Sequence, residues 1–226
     1  MNLQTSEGIT SKPNHLKDFI QKIKNMDFWN ELQWPVISTL ILLRPLHFWL
    51  MEKVVKIEKG DTVLEIGSGV LPYYKFYADK VGESGLFVAV DINANIQKRS
   101  KKICYWIDKY FKKKDASANI IHQVADVNKL PFEDGSFNLV LANNFNGGDT
   151  KSTDIKEVFR ALRPGGRVIY TWDEALSIPA DTALQAKMCK KVGFDNIKIR
   201  PGAPGAVVPG LGWNWYMEAT KPIFKK

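Results

Sequence analysis

The chain of 226 residues is poor in the side chains that carry most metal and covalent chemistry: it has two cysteines, Cys104 and Cys189, and three histidines. The cysteines form no C-x-x-C pair, and no His, Cys and carboxylate residues cluster at metal-ligand spacing, so no metal is expected. There is no G-x-S-x-G elbow and no G-K-[ST] phosphate loop, which removes the common hydrolase and ATPase readings. No stretch reaches the roughly 20 apolar residues that a membrane-spanning helix needs. The most apolar window, Trp34 to Met51, is broken by Arg44, Pro45 and His47. A secretory leader with a charged start, an apolar centre and a small-residue cleavage site is also missing, and a reducing cytoplasm is the expected location. Acid is in short supply relative to base, since 24 Asp and Glu face 32 Lys and Arg for a net charge of +8. Such a balance suits nucleic acid or an anionic membrane surface, but it also arises for solubility alone, which is the plainer reading.

What the chain does have is apolar residues, 45% of the total, enough for one well-packed core. Residues 63–66, Val63, Leu64, Glu65 and Ile66, form a short apolar run that ends in Gly67, Ser68 and Gly69. The run is too short for a helix and rich in β-favouring residues, so it predicts a buried parallel strand. The two glycines permit a tight turn and a close approach of ligand to backbone. A dinucleotide fingerprint would want a third glycine at position 72, which is Pro72, and a G-x-G-x-G loop would want it at 71, which is Leu71. The loop alone therefore leaves open a cofactor site or an ordinary strand-to-helix turn.

The context narrows the choice. A helix is expected from Pro72 to Val81, then a second buried strand from Leu86 to Val90 that runs into Asp91. A carboxylate at that place can accept from both ribose hydroxyls of a nucleotide, or it can cap the next helix. That helix is predicted over Asn93 to Lys114, with Ile96, Ile103, Ile107, Tyr110 and Phe111 inward and its lysines outward. The lysine run invites an RNA reading, yet no RNA-binding module accompanies it. Further strands are expected at Asn119 to Val124, Phe137 to Ala142 and Arg167 to Trp172, with a helix over Thr150 to Leu162 and a turn at Pro164, Gly165 and Gly166. After a helix over Ala180 to Val192, two strands, Asn196 to Arg200 and Trp213 to Thr220, follow each other without a helix, which suits an antiparallel closing pair.

The ordered set at 63–69, 88–91 (Val-Ala-Val-Asp), 125–126 (Ala-Asp), 130–140 (Leu-Pro-Phe-Glu-Asp-Gly-Ser-Phe-Asn-Leu-Val) and 160–168 (Arg-Ala-Leu-Arg-Pro-Gly-Gly-Arg-Val) resembles the class I S-adenosylmethionine-dependent methyltransferases, in particular the small-molecule branch that includes the ubiquinone/menaquinone methyltransferases. The resemblance covers about residues 55–222 and implies an α/β, Rossmann-like, seven-stranded and mostly parallel sheet with an antiparallel last strand and helices on both faces. A methyltransferase domain over 55–226 would follow an N-terminal helical extension over 1–54. The implied cofactor is S-adenosylmethionine, held by Glu65, Gly67, Ser68 and Gly69 at its methionine part, by Asp91 and Ile92 at the ribose and by Asp126 and Val127 at the adenine, with Asn143 beside them. Leu71 stands where the family has its last loop glycine.

The loop after the fourth strand faces the place where the methyl group is delivered, which makes Asn144 and Asn146 candidate acceptor contacts together with Trp172; an Asn-, Gly- and Asp-rich turn without any function is the other reading. Asp149, Asp173, His15 and His47 are conceivable bases. The amphipathic segment Pro13 to Glu31 and the window 34–51 could pack on the sheet, form a lid over the acceptor pocket or make peripheral membrane contact. The expected function is methyl transfer to a small, apolar, quinone- or lipid-like acceptor; the alternatives are an RNA methyltransferase or a non-catalytic protein of the same fold.

Overall fold

The structure, a computed structural model, describes residues 54–69, 74–111, 119–143, 152–172, 179–201 and 215–223. The N-terminal segments 13–31 and 34–51, Leu71, Asn144, Asn146, and the conceivable bases Asp149, Asp173, His15 and His47 lie outside the described residues. The elements are β1 (Thr62–Ile66), α1 (Tyr74–Val81), β2 (Leu86–Asp91), α2 (Ala94–Phe111), β3 (Ile120–Val124), β4 (Phe137–Asn143), α3 (Ser152–Ala161), β5 (Leu162–Trp172), α4 (Pro179–Val192), β6 (Asp195–Pro201) and β7 (Trp215–Thr220). They build one seven-stranded sheet in the order β3-β2-β1-β4-β5-β7-β6. Pairings β1 with β2, β1 with β4, β2 with β3 and β4 with β5 are parallel, while β7 runs antiparallel to both β5 and β6.

The strands form where they do because the central ones are apolar on both sides, as a sheet covered on two faces requires. One face buries Val63, Phe87, Ala89, Leu139, Leu141 and Ile169 beneath Tyr77, Ala78 and Val81 of α1 and Cys104 of α2. The other buries Leu64, Ile66, Val88, Val90, Val140 and Val168 beneath Ile155, Val158 and Ala161 of α3 and Cys189 of α4. Each fully covered side chain of this size contributes about 1.5 to 3 kcal/mol, so the double layer is what holds the strand ends in place.

One sequence expectation needs correction. The Pro164-Gly165-Gly166 turn lies inside β5, which begins at Leu162, where the helix was expected still to run. Phe137 pairs with Leu162 and Leu139 already with Arg167, so the extra residues bulge out of the ladder. The bulge is pinned from the far side: Gly165 N–H donates to the Lys221 carbonyl and Lys221 N–H to the Gly166 carbonyl, both at 2.8 Å. A Cβ on Gly166 would come within 2.9 Å of the Arg163 carbonyl, which reserves the position for glycine. Helix α2 is described as far as Phe111, and its buried residues include Gln97, Ser100 and Cys104 beside Ile103. The closing pair is antiparallel, as expected, with β7 inserted between β5 and β6.

Arg160 closes the segment that follows β3 onto α3. Its guanidinium donates to the carbonyls of Leu130 (3.0 Å) and Phe132 (2.7 Å), to Asp134 (2.8 Å) and, with two N–H groups, to Glu157 (2.9 Å each). A lysine presents three donors from one atom and cannot reproduce this planar fork. Because the side chain is 29% exposed and therefore partly screened, Arg160→Lys is expected to lower stability by about 1 to 2 kcal/mol. Urea denaturation measures it, and an unchanged midpoint would reduce the network to surface ornament.

Candidate cofactor site

The site is built at the carboxyl ends of β1 and β2, where an open parallel sheet leaves a crevice. Gly67 and Gly69 both have φ +64°, so the chain leaves β1 through a left-handed path that other residues adopt only under strain. Among the described residues, a Cβ built on Gly69 meets nothing nearer than the Gly67 carbonyl at 4.0 Å. The glycine is thus required by the backbone path rather than by a crowded neighbour among the described residues.

Asp91, the last residue of β2, ties this loop to the neighbouring strand. Its Oδ2 accepts from Gly69 N–H at 3.1 Å and its Oδ1 from Asn93 N–H at 2.9 Å. The helix cap considered for Asp91 is made by Asn93 instead, whose Oδ1 accepts from Asn95 N–H and Ile96 N–H. A carboxylate offers about four lone-pair sites, so two remain for ribose hydroxyls once the backbone has taken two. Next to it Ile92 stands 71% exposed, an apolar surface that the core does not use.

Ser68 is buried and donates its N–H to the Val90 carbonyl at 2.9 Å. Its hydroxyl accepts from the Gln97 side-chain amide at 3.0 Å, and the same Nε2 donates to the Ala89 carbonyl at 3.2 Å. That second bond fixes the amide orientation, because a flipped Gln97 would set oxygen against the Ala89 oxygen. Gln97 is a contributor that reading the sequence missed. The available signal was a glutamine and a serine, Gln97 and Ser100, at helical spacing on the side of α2 away from its lysines.

Glu65 is 3% exposed and its Oε2 has no hydrogen-bond partner. Burial alone pushes the carboxyl up to about 8, so at neutral pH it holds its proton. An unpaired buried oxygen directly behind a glycine loop fits a site whose donor comes from a ligand.

Asp126 lies beyond β3, exposed, and its Oδ1 accepts from both the backbone and side-chain N–H groups of Asn128 at 2.9 Å, capping a short 3-10 turn over Val127–Lys129. Those bonds hold its carboxyl below the usual range. Val127 is half-buried against the core. Asn143 ends β4 opposite Thr171, and Trp172 ends β5 opposite Trp215; their backbones are placed at the same end of the sheet as the loop, and their side chains are not described. The lysines of α2, Lys98, Lys101, Lys102 and Lys109, form its exposed face opposite the buried one, as a solvated helix face does. Among the described residues no group of His, Cys, Asp and Glu could hold a metal ion, and no helix is long and apolar enough to cross a membrane.

Residues 63–166 match the family described as a methyltransferase domain. Among curated proteins the chain is similar to the ubiquinone/menaquinone biosynthesis C-methyltransferase UbiE of Pseudomonas paraeruginosa, at 33% identity over 114 residues that cover 50% of this chain and 42% of that protein. The chain spans about half the length of the curated relatives it matches. Among solved structures it is similar to a SAM-dependent methyltransferase from Aquifex aeolicus (TM-score 0.58, 15% identity, 93% of this chain and 100% of that one). A second is the phosphoethanolamine N-methyltransferase 2 of Haemonchus contortus in complex with S-adenosyl-L-methionine (TM-score 0.60, 15% identity, 87% and 59%). At such identities the solved structures speak for the fold, and the fold agrees with the match over the sequence. The seven-stranded sheet that carries residues 63–166 thus has the fold of solved S-adenosylmethionine-dependent methyltransferases.

Proposed function

We propose that the protein is an S-adenosylmethionine-dependent methyltransferase whose acceptor is a small apolar molecule of the quinone or lipid class. The observation that carries the cofactor reading is the Gly67 to Gly69 loop, left-handed at both glycines and held by Asp91 at 3.1 Å, with the unpaired Glu65 Oε2 behind it. S-adenosylmethionine, when bound, supplies a methyl group already activated as a sulfonium. The residues present then have to bind and orient: Gly67, Ser68 and Gly69 line the amino-acid end, Asp91 and Ile92 the ribose, and Asp126 and Val127 the adenine. Alignment of this kind contributes about 7 to 11 kcal/mol in favourable cases, so a dedicated acid or base is not obligatory.

The acceptor class rests on the relatives, which are named for ubiquinone and menaquinone biosynthesis, and on the aromatic window Trp34 to Met51. That window suits either a lid over the acceptor or peripheral membrane contact. Calorimetric titration with S-adenosylmethionine, S-adenosylhomocysteine and NAD tests the cofactor, with saturable binding of the first two alone as the expected result. Binding of NAD alone would replace the transferase reading by an oxidoreductase one. Transfer of labelled methyl to an alkyl-substituted quinol tests the acceptor; transfer to RNA instead, with binding that weakens steeply in salt, would move the substrate to a nucleic acid.

A further inference from the structure

On the face that carries Val63, Phe87 and Ala89, α1 packs chiefly on β1 and β2, and α2 on β2 and β3. The neighbouring half of that face, Leu139 and Leu141 of β4 and Ile169 of β5, is at most 2% exposed, although α3 and α4 lie on the opposite side of the sheet. A helix ends against this half. Val54 and Val55 are helical, Lys56 turns left-handed at φ 44°, and Val55 is buried in the same apolar cluster. A left-handed residue just past the last helical one is a usual helix stop, and the final carbonyls are then without partners inside the helix.

Arg167 of β5 supplies those partners. Its guanidinium donates to the carbonyls of Val54 (3.4 Å), Val55 and Lys56 (3.0 Å), and Glu218 of β7 braces it at 3.3 Å. A fixed cation is also favourable at the carboxyl end of a helix dipole. Arg167 pairs with Leu139 and Thr220 at the start of the regular β5 ladder, so the helix terminus sits at the amino edge of the sheet. We propose that residues 45–53 continue this helix upstream across β4 and β5, with Phe48 and Met51 set against Leu139, Leu141 and Ile169, and that Arg167 latches it there. The core of the domain then begins at Pro45 rather than at residue 55.

Length and pattern both fit. At about 1.5 Å per residue the stretch 45–55 spans about 16 Å, and at about 3.3 Å per residue β5 rises about 17 Å from Arg167 to Trp172. Pro45 suits the first turn of a helix, where its missing N–H costs nothing, and this length brings it to the carboxyl edge of the sheet. Phe48, Met51 and Val55 recur at spacings of three and four, which puts them on one stripe, while Lys53 lies across the helix from them. The inference stands apart from the cofactor reading, since it concerns only the layer behind β4 and β5.

Thiol labelling of the full chain tests it, with the buried Cys104 and Cys189 as internal markers of an intact core. Phe48→Cys and Met51→Cys should react at least about a hundredfold more slowly than Lys53→Cys, at rates that depend neither on protein concentration nor on added vesicles. Met51→Cys, the smaller change, decides the matter if Phe48→Cys exposes Cys104. Adding Arg167→Gln should speed labelling at Met51→Cys by about tenfold or more while Cys104 stays protected, because only the latch is lost. Equal rates at the three positions overturn the inference. Protection that appears only as protein concentration rises would give the face to a second copy, and protection that appears only with phosphatidylglycerol vesicles would give the segment to a membrane; either result overturns it as well. Unchanged labelling at Met51→Cys on adding Arg167→Gln overturns the latch.

Discussion

Asp91→Ala is expected to weaken S-adenosylhomocysteine between about ten- and a hundredfold, the loss of charge-assisted hydrogen bonds worth about 1.5 to 3 kcal/mol in all. Two effects add in the variant. The carboxylate no longer meets the ribose, and the Gly69 and Asn93 N–H groups lose the acceptor that holds the loop against β2. A double-mutant cycle separates them. If Asp91 binds the ribose, a 2′-deoxy ligand is penalised by the unmodified protein and not by Asp91→Ala. An equal penalty in both would mean that Asp91 acts through the loop alone, and unchanged affinity for the natural ligand would remove it from the site.

The second large effect has the opposite sign on stability. The Glu65 carboxyl is raised from 4.5 to about 8 by burial, so between those values the folded protein holds a proton that the unfolded chain has released. Stability from this group is complete below about pH 4.5, declines as pH rises and is lost by about pH 8, at about 1.4 kcal/mol per unit and about 3 kcal/mol by pH 7. Glu65→Gln stays neutral throughout. It should therefore raise the unfolding midpoint at pH 7 to 8 by several degrees, corresponding to about 1 to 3 kcal/mol once burial of the amide is allowed for. At pH 4.5 it should gain nothing. Parallel stability–pH slopes for the two proteins would show that the carboxyl finds a donor in the folded chain. The same substitution that stabilises is expected to weaken the cofactor, as at other sites where function keeps an unfavourable group buried.

Strand positions were legible because Val63 to Ile66, Leu86 to Val90 and Phe137 to Ala142 are apolar on both sides, a pattern that a doubly covered sheet imposes. Glycine at 67 and 69 announced the turn for the same kind of reason, since the left-handed path admits few alternatives. Gln97 was harder to read: a polar residue on a helix reads as solvent-facing, its spacing with Ser100 was a faint sign, and its bonds to Ala89 and Ser68 explain its burial. The β5 bulge was hidden because Pro-Gly-Gly is also what an ordinary turn looks like, and its anchoring partner, Lys221, comes 55 residues after Gly166 in sequence (221 minus 166). Asp126 was read for its charge, whereas its local geometry first makes it the cap of a 3-10 turn.

The place of β7 between β5 and β6 bears on how the chain emerges from a ribosome. Until Thr220 has left the exit tunnel, β5 offers an unpaired ladder edge and β6 has no neighbour in the sheet at all. Five strands can assemble as they are made, but the sixth must wait for the seventh. During that interval the open edge at Arg167–Trp172 is a template on which a second nascent chain could pair. Emergence of β7 from the tunnel thus ends the period in which crowding on a polysome is a hazard to this protein.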